Sequence, residues 1–145
     1  MADYIIRIDT ATKPNKGGKS SVAWKIWCRG DIIAAGLLYF NFHYPNQVFY
    51  KGISAALSQL EVDHFYSGGT DTVKIYGDCM PVIDQLCDKR QVVKMKKHFK
   101  NIKEFCSRHK NVNFEFYYQS DEDPEYRKVD KLTRVGRDWL QKMIK

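Results

Sequence analysis

Tyr4-Ile5-Ile6-Arg7-Ile8 is a run of β-favouring residues that stops at an acid, Asp9, and Val73-Lys74-Ile75-Tyr76 repeats the pattern, passing through Gly77 into Asp78. Working outward from these runs, Thr10 to Ser20 is rich in Lys, Pro, Asn and Gly, with turn chemistry at Pro14-Asn15 and Gly17-Gly18. Val22 to Trp27 reads as a second strand, Arg29-Gly30-Asp31 as a hairpin turn and Ile32 to Phe42 as a third strand, so the chain opens on an antiparallel meander. The period changes over Lys51 to Phe65, where Ile53, Ala56, Leu57 and Leu60 fall at helical spacing, and Ser67-Gly68-Gly69-Thr70 ends that helix. Beyond Asp78, Pro81 suits the first turn of a short helix through Leu86. A longer helix is predicted over Val93 to His109, and a fifth strand over Val112 to Tyr118. Asp123-Pro124 then caps a last helix with Val129, Leu132, Trp139, Leu140 and Met143 on its apolar stripe. The order is βββαβααβα, an α/β pattern. No internal repeat or linker divides it, so residues 1–145 are expected to form one domain.

The totals agree with a folded domain. In 145 residues, 43% are hydrophobic and 28% charged, enough to build a core and too apolar for a disordered chain. No apolar run is long enough to span a bilayer, and Met1-Ala2-Asp3-Tyr4 does not begin a secretory signal. A cytoplasmic protein is therefore expected, with a nuclear or viral setting equally compatible; oligomeric state is left open. Cys28, Cys79, Cys87 and Cys106 form no CxxC pair and the histidines are scattered, which argues against a zinc cluster or a disulfide framework. A net charge of +7 suits a polyanionic partner such as nucleic acid.

Asp9, Asp78 and Asp130 are the candidate site. An Asp after a strand is ordinarily a turn residue, and one early in a helix ordinarily answers the helix dipole. Together they say more. First and fourth strands lying side by side bring Asp9 next to Asp78, and a C-terminal helix packed on that sheet adds Asp130. Three carboxylates about 5 Å apart at an effective dielectric of about 20 repel by roughly 3 kcal/mol per pair. The sum of about 10 kcal/mol is comparable to a whole domain's stability, so such a cluster calls for protonation or a cation. Hard oxygen ligands select Mg²⁺ or Mn²⁺, and a cation so held promotes phosphoryl transfer.

At these residues the chain resembles ribonuclease H of type 1, over nearly its whole length. Ile8-Asp9-Thr10-Ala11 with Pro14-Asn15-Lys16-Gly17-Gly18 is similar to the family's first strand, catalytic Asp and glycine-rich turn. Ile75-Tyr76-Gly77-Asp78-Cys79 resembles the strand with the second Asp, and Phe114-Glu115-Phe116-Tyr117, Pro124-Glu125 and Val129-Asp130-Lys131-Leu132 resemble the last strand, loop and helix. The resemblance implies a ribonuclease H-like fold, a five-stranded mixed sheet flanked by helices. It also implies metal-dependent hydrolysis of the RNA strand in RNA–DNA hybrids. Three departures stand beside it. Aligning Ala55-Ala56 with the family's Ala-Ala step puts Gly52 where the family has a catalytic Glu, and Glu61 is too far along the helix to replace it. The loop Gln119-Ser120-Asp121-Glu122-Asp123 lacks the family's His, and Tyr126-Arg127 stands where an Asn or Glu is usual.

The basic residues add a surface. Lys94, Lys96, Lys97, Lys100, Lys103, Arg108 and Lys110 crowd one helix against Glu104 alone. A solvated helix face is the ordinary meaning of such a row, but its single sign favours phosphate contacts, which give affinity without sequence readout. Lys13 and Lys16 in the first turn are further phosphate candidates, and Asn46-Gln47, placed before the first helix, stands where the resemblance implies amides that meet the minor groove, a simple loop being the equal alternative. Trp24, Trp27 and Trp139 are expected in the core. Three functions stay open: a divergent metal-dependent endonuclease acting on RNA–DNA hybrids, a catalytically impaired nucleic-acid-binding or assembly module, and a related nuclease acting on DNA. Retention of the three Asp favours the first and third; Gly52 favours the second.

Overall fold

The computed structural model of the chain describes residues 3–13, 19–41, 44–64, 71–92 and 94–119. Alternating apolar residues in Tyr4-Ile5-Ile6-Arg7-Ile8 make a strand, β1, that runs from Asp3–Lys13. It therefore continues past Asp9 instead of stopping there, because it pairs antiparallel with β2 (Lys19–Cys28) from Tyr4↔Cys28 to Lys13↔Lys19. Strand β3 (Asp31–Phe40) pairs antiparallel with β2, with a register shift at Ile26/Trp27. Arg29 and Gly30 join them with φ of 54° and 83°, the two consecutive left-handed residues that a tight two-residue hairpin needs.

Helix α1 (Pro45–His64) crosses to β4 (Thr72–Gly77), which lies parallel to β1 from Asp3↔Thr72 to Ile8↔Gly77. Helices α2 (Met80–Leu86) and α3 (Lys96–Arg108) lead to β5 (Asn113–Tyr118), parallel to β4. The result is a five-stranded mixed sheet in the order β3-β2-β1-β4-β5, as the resemblance implied. Three of the helices expected from the sequence are described; the last one, from Asp123-Pro124, lies outside the described residues. None of the described helices is long and apolar enough to cross a membrane.

α1 packs its buried face, Val48, Phe49, Ile53, Ala56, Leu57 and Leu60, on Ile6, Ile8, Val22, Ile26, Val73 and Ile75 of the sheet. Trp24 belongs to the same core, its indole N–H donating to Gln59 Oε1 at 2.8 Å. Its ring lies where a side chain on Gly36 would start, since a Cβ there would be 2.0 Å from Trp24 Cζ2. Trp27 is buried on the opposite face with Ala23. α1 begins six residues earlier than its apolar spacing predicted, at Pro45, where a proline's fixed φ and missing N–H suit the first turn. Asn46 and Gln47 are thus first-turn helix residues and not a preceding loop.

Candidate active site

The parallel ladder of β1 and β4 ends at Ile8↔Gly77, so the next residues are Asp9, still within β1, and Asp78, the first residue past β4. Neighbouring strands lie about 4.8 Å apart, so the backbone positions just before the two acids are adjacent although distant in sequence. Asp9 is 1% exposed, whereas Asp78 lies in an exposed bend just past the strand. Asp130 and Lys16 lie outside the described residues, as does the side chain of Lys13. Among the described residues no group of three or more His, Cys, Asp or Glu gathers to hold a metal. The described contribution is these two hard oxygen donors, one of them buried, a ligand type that suits a divalent cation such as Mg²⁺ or Mn²⁺.

Strand alternation turns Ile6 and Ile8 toward α1, and Arg7 and Asp9 toward the other face. There the Arg7 guanidinium lies between the rings of Trp27, at 5.6 Å, and Tyr76, at 5.0 Å, and donates to the Gln119 side chain. Tyr76 stacks on Tyr117 at 5.1 Å, and the Gln119 backbone N–H donates to the Gly77 carbonyl at 2.8 Å. A cation is therefore fixed two residues before Asp9 by stacking and a hydrogen bond on both its sides.

The helix side of the site is closely packed at the glycines. A Cβ on Gly52 would lie 2.4 Å from Val22 Cγ2 and 3.3 Å from Ile8 Cγ2, so the position has no room for a glutamate. The α1 residue that reaches the end of β4 is Phe49. Its Cζ sits 2.1 Å from where a Cβ on Gly77 would be, and that same Cβ position is 3.4 Å from the Ile8 carbonyl oxygen. Phe49 therefore packs on the glycine that immediately precedes Asp78. Glu61 is committed elsewhere, to His109 Nε2 at 2.6 Å and Arg108 at 3.8 Å on α3.

Behind Asp78 the first turn of α1 is tied to α2. The Cys79 thiol donates to Asn46 Oδ1 at 3.2 Å, and the Tyr50 hydroxyl donates to Gln85 Oε1 at 2.7 Å. Burial raises the Cys79 thiol to about 11, the neighbouring Asp78 charge adding to it, so the thiol stays protonated and remains a donor. Burial likewise pushes the Tyr50 hydroxyl up to about 12, with Cys79 adding. Sequence reasoning passed over Tyr50, Cys79 and Gln85, because nothing in their spacing signals a network that only the α1–α2 packing closes.

Of the basic candidates, Lys94 stands just before α3, and Lys96, Lys97 and Lys100 are exposed on it, Lys100 paired with Glu104 at 3.8 Å. Lys103 instead donates to the Leu86 carbonyl at 3.0 Å and pairs with Asp88. The row thus divides into an exposed N-terminal part and a C-terminal part that ties α3 to α1 and α2.

No protein-family model matches the sequence, and no curated protein does. Solved structures do. LC11-RNase H1, in complex with an RNA/DNA hybrid, superposes with a TM-score of 0.83 at 19% identity, covering 95% of this chain and 99% of its own. The N-terminal RNase H domain of Rv2228c from Mycobacterium tuberculosis gives 0.78 at 16% identity, covering both chains in full. RNase H1 from the halophilic archaeon Halobacterium salinarum gives 0.72 at 19%, covering 94% and 98%. With the sheet order and the parallel β1–β4 pair, these likenesses establish that the chain has the ribonuclease H fold.

Proposed function

We propose that the chain is a divergent, metal-dependent endonuclease that hydrolyses the RNA strand of RNA–DNA hybrids. The observation that carries this reading is the parallel β1–β4 ladder, whose last pair, Ile8↔Gly77, immediately precedes buried Asp9 and Asp78. Asp9, Asp78 and Asp130 are its metal ligands and catalytic residues. A Mg²⁺ or Mn²⁺ ion bound there supplies an activated water and neutralises charge on the phosphate. Lys94, Lys96, Lys97 and Lys100, with Lys13 and Lys16, hold phosphates, and Asn46 and Gln47 present amides beside Asp78. The hybrid bound by the similar LC11 enzyme supports this choice of partner.

A second reading has its own observation. Gly52 stands where the resemblance puts the family's Glu, and Val22 fills the space beside it, so a site that lacks one carboxylate suits a nucleic-acid-binding module. Labelled RNA–DNA hybrid, double-stranded RNA and double-stranded DNA, incubated in Mg²⁺ and in Mn²⁺ beside Asp9→Asn and Asp78→Asn, separate the two. Cleavage of the hybrid by the wild type, abolished in both variants, is the expected result. Hybrid binding without cleavage by the wild type would leave the module; cleavage that survives both substitutions would remove the site.

A further inference from the structure

Among the described strands, β3 is the outermost on its side of the sheet, with β2 as its neighbour. An outer strand of a folded protein is ordinarily kept short, or carries a lysine, a proline or another charge that discourages pairing. β3 is ten residues long, and past Asp31 it reads Ile32-Ile33-Ala34-Ala35-Gly36-Leu37-Leu38-Tyr39-Phe40, with none of these. Each of the other strands carries a charge in its interior: Arg7, Lys25, Lys74 and Glu115. Pairing with β2 is regular from Ala34 to Phe40, and Ile33 is the extra residue at the register shift near the start. The strand presents large apolar side chains to solvent, Ile32 at 52% and Tyr39 at 36% exposure.

From this edge we infer that β3 docks on β3 of a second copy, antiparallel about a two-fold axis at Gly36, so that the two sheets become one. The strand fits itself in that register. Counting outward from Gly36 and passing over the bulged Ile33, Ala35 meets Leu37 of the second copy, Ala34 meets Leu38, and Ile32 meets Tyr39. Small side chains thus lie against large ones, and the two exposed apolar groups cover each other, a β-branched residue against an aromatic ring. The next pair sets Asp31 opposite the second copy's Phe40. The Lys51 ammonium lies 5.2 Å from the centre of that ring. Cys28, the β2 partner of Asp31, and Phe40 both pack on the α1 side of the sheet, so Asp31 and that ammonium share a face. Two-fold symmetry makes the contact twice. A shift by one residue would turn every side chain to the wrong face and part both the apolar and the charged pairs. An unrelated extended segment would use the same backbone edge, but this self-complementarity of size and charge selects a second copy. β2 separates β3 from β1, so the dimer and the hydrolysis proposed at Asp9 are tested apart.

Sedimentation equilibrium of the full chain, free of nucleic acid and divalent cations, should show a monomer–dimer equilibrium with a dissociation constant in the micromolar range. Backbone hydrogen exchange in β3 should slow as the protein concentration rises. Ile32→Lys and Ala35→Lys, both at exposed positions, should each raise the dissociation constant about tenfold, because an ammonium then faces an apolar partner. An unchanged melting temperature of the monomer shows that each variant keeps the fold. Asp31→Lys and Lys51→Asp should each weaken the dimer severalfold, and the two together in one chain should restore it. That rescue is the mark of the Gly36 register, since chance association through apolar side chains would not respond to it. A chain that stays monomeric up to about 200 µM, well above that range, overturns the proposal and leaves the edge to another extended segment. So do a dimer indifferent to both lysine substitutions, growth past the dimer, or a double exchange that fails to restore association.

Discussion

A Cβ on Gly77 would lie 2.1 Å from Phe49 Cζ, and a Cβ on Gly52 would lie 2.4 Å from Val22 Cγ2. Neither glycine has a positive φ to explain it; both are small because something else fills their space. Gly77→Ala is expected to destabilise the chain by about 1–3 kcal/mol through overpacking, read as a lower urea midpoint. Phe49→Glu is expected to cost about 3–5 kcal/mol of stability for removal of the ring. Gly52→Glu is expected to lower the urea midpoint, because Val22 fills its space; tighter Mn²⁺ binding by that variant in calorimetry would place the missing carboxylate at Gly52. The two aspartates were legible in the sequence because a β run ending in an acid is a local pattern. Phe49 was not, because a buried phenylalanine on a helix reads as core, which it also is; only its packing on Gly77 shows which core it joins.

α3 carries its charges in two groups with different duties. Lys96→Glu with Lys97→Glu should weaken hybrid binding and flatten its salt dependence, by about 0.9 in log–log slope for each phosphate no longer neutralised, with an unchanged melting temperature. Lys103→Ala should do the reverse, costing about 1 kcal/mol of stability for the missing bond to the Leu86 carbonyl and leaving affinity in place. Equal effects of the two changes on binding would dissolve the division. The same helix sets a pH limit. Burial raises Cys106 from 9.0 to about 11, with Lys103 pulling the other way, so the folded state favours the neutral thiol. Its contribution is complete below pH 9 and is lost as pH rises toward 11. Urea midpoints should therefore fall across that window, and fall less in Cys106→Ala. At this scale most elements were readable from period and turn residues. The exception, the start of α1 at Pro45, was obscured because its first turn, Pro45-Asn46-Gln47, carries polar residues and a proline that a spacing argument discounts. The positions of Asn46 and Gln85 beside each other depend on tertiary packing that no local pattern encodes.

Across the whole molecule, β1 is the strand on which the two halves meet, antiparallel to β2 on one side and parallel to β4 on the other. A hairpin partner is reached through a short turn, while a parallel partner is reached only after α1 has crossed the sheet. These two kinds of pairing close at different times. The β1–β2–β3 meander needs only local loops, whereas docking β4 must first overcome the closure entropy of the long crossover. Because Asp9 sits on the early strand and Asp78 on the late one, neither half alone has a pair of acids to offer a cation. Competence to bind Mn²⁺ should thus emerge with the slowest phase of refolding, after the burial of Trp24 has changed its fluorescence. Stopped-flow refolding, with Trp emission and Mn²⁺ uptake followed side by side, would show the two signals separated in time; coincident signals would mean that the sheet closes in one step. The ladder that ends just before the two acids thus also makes the site a clock for the last event in folding.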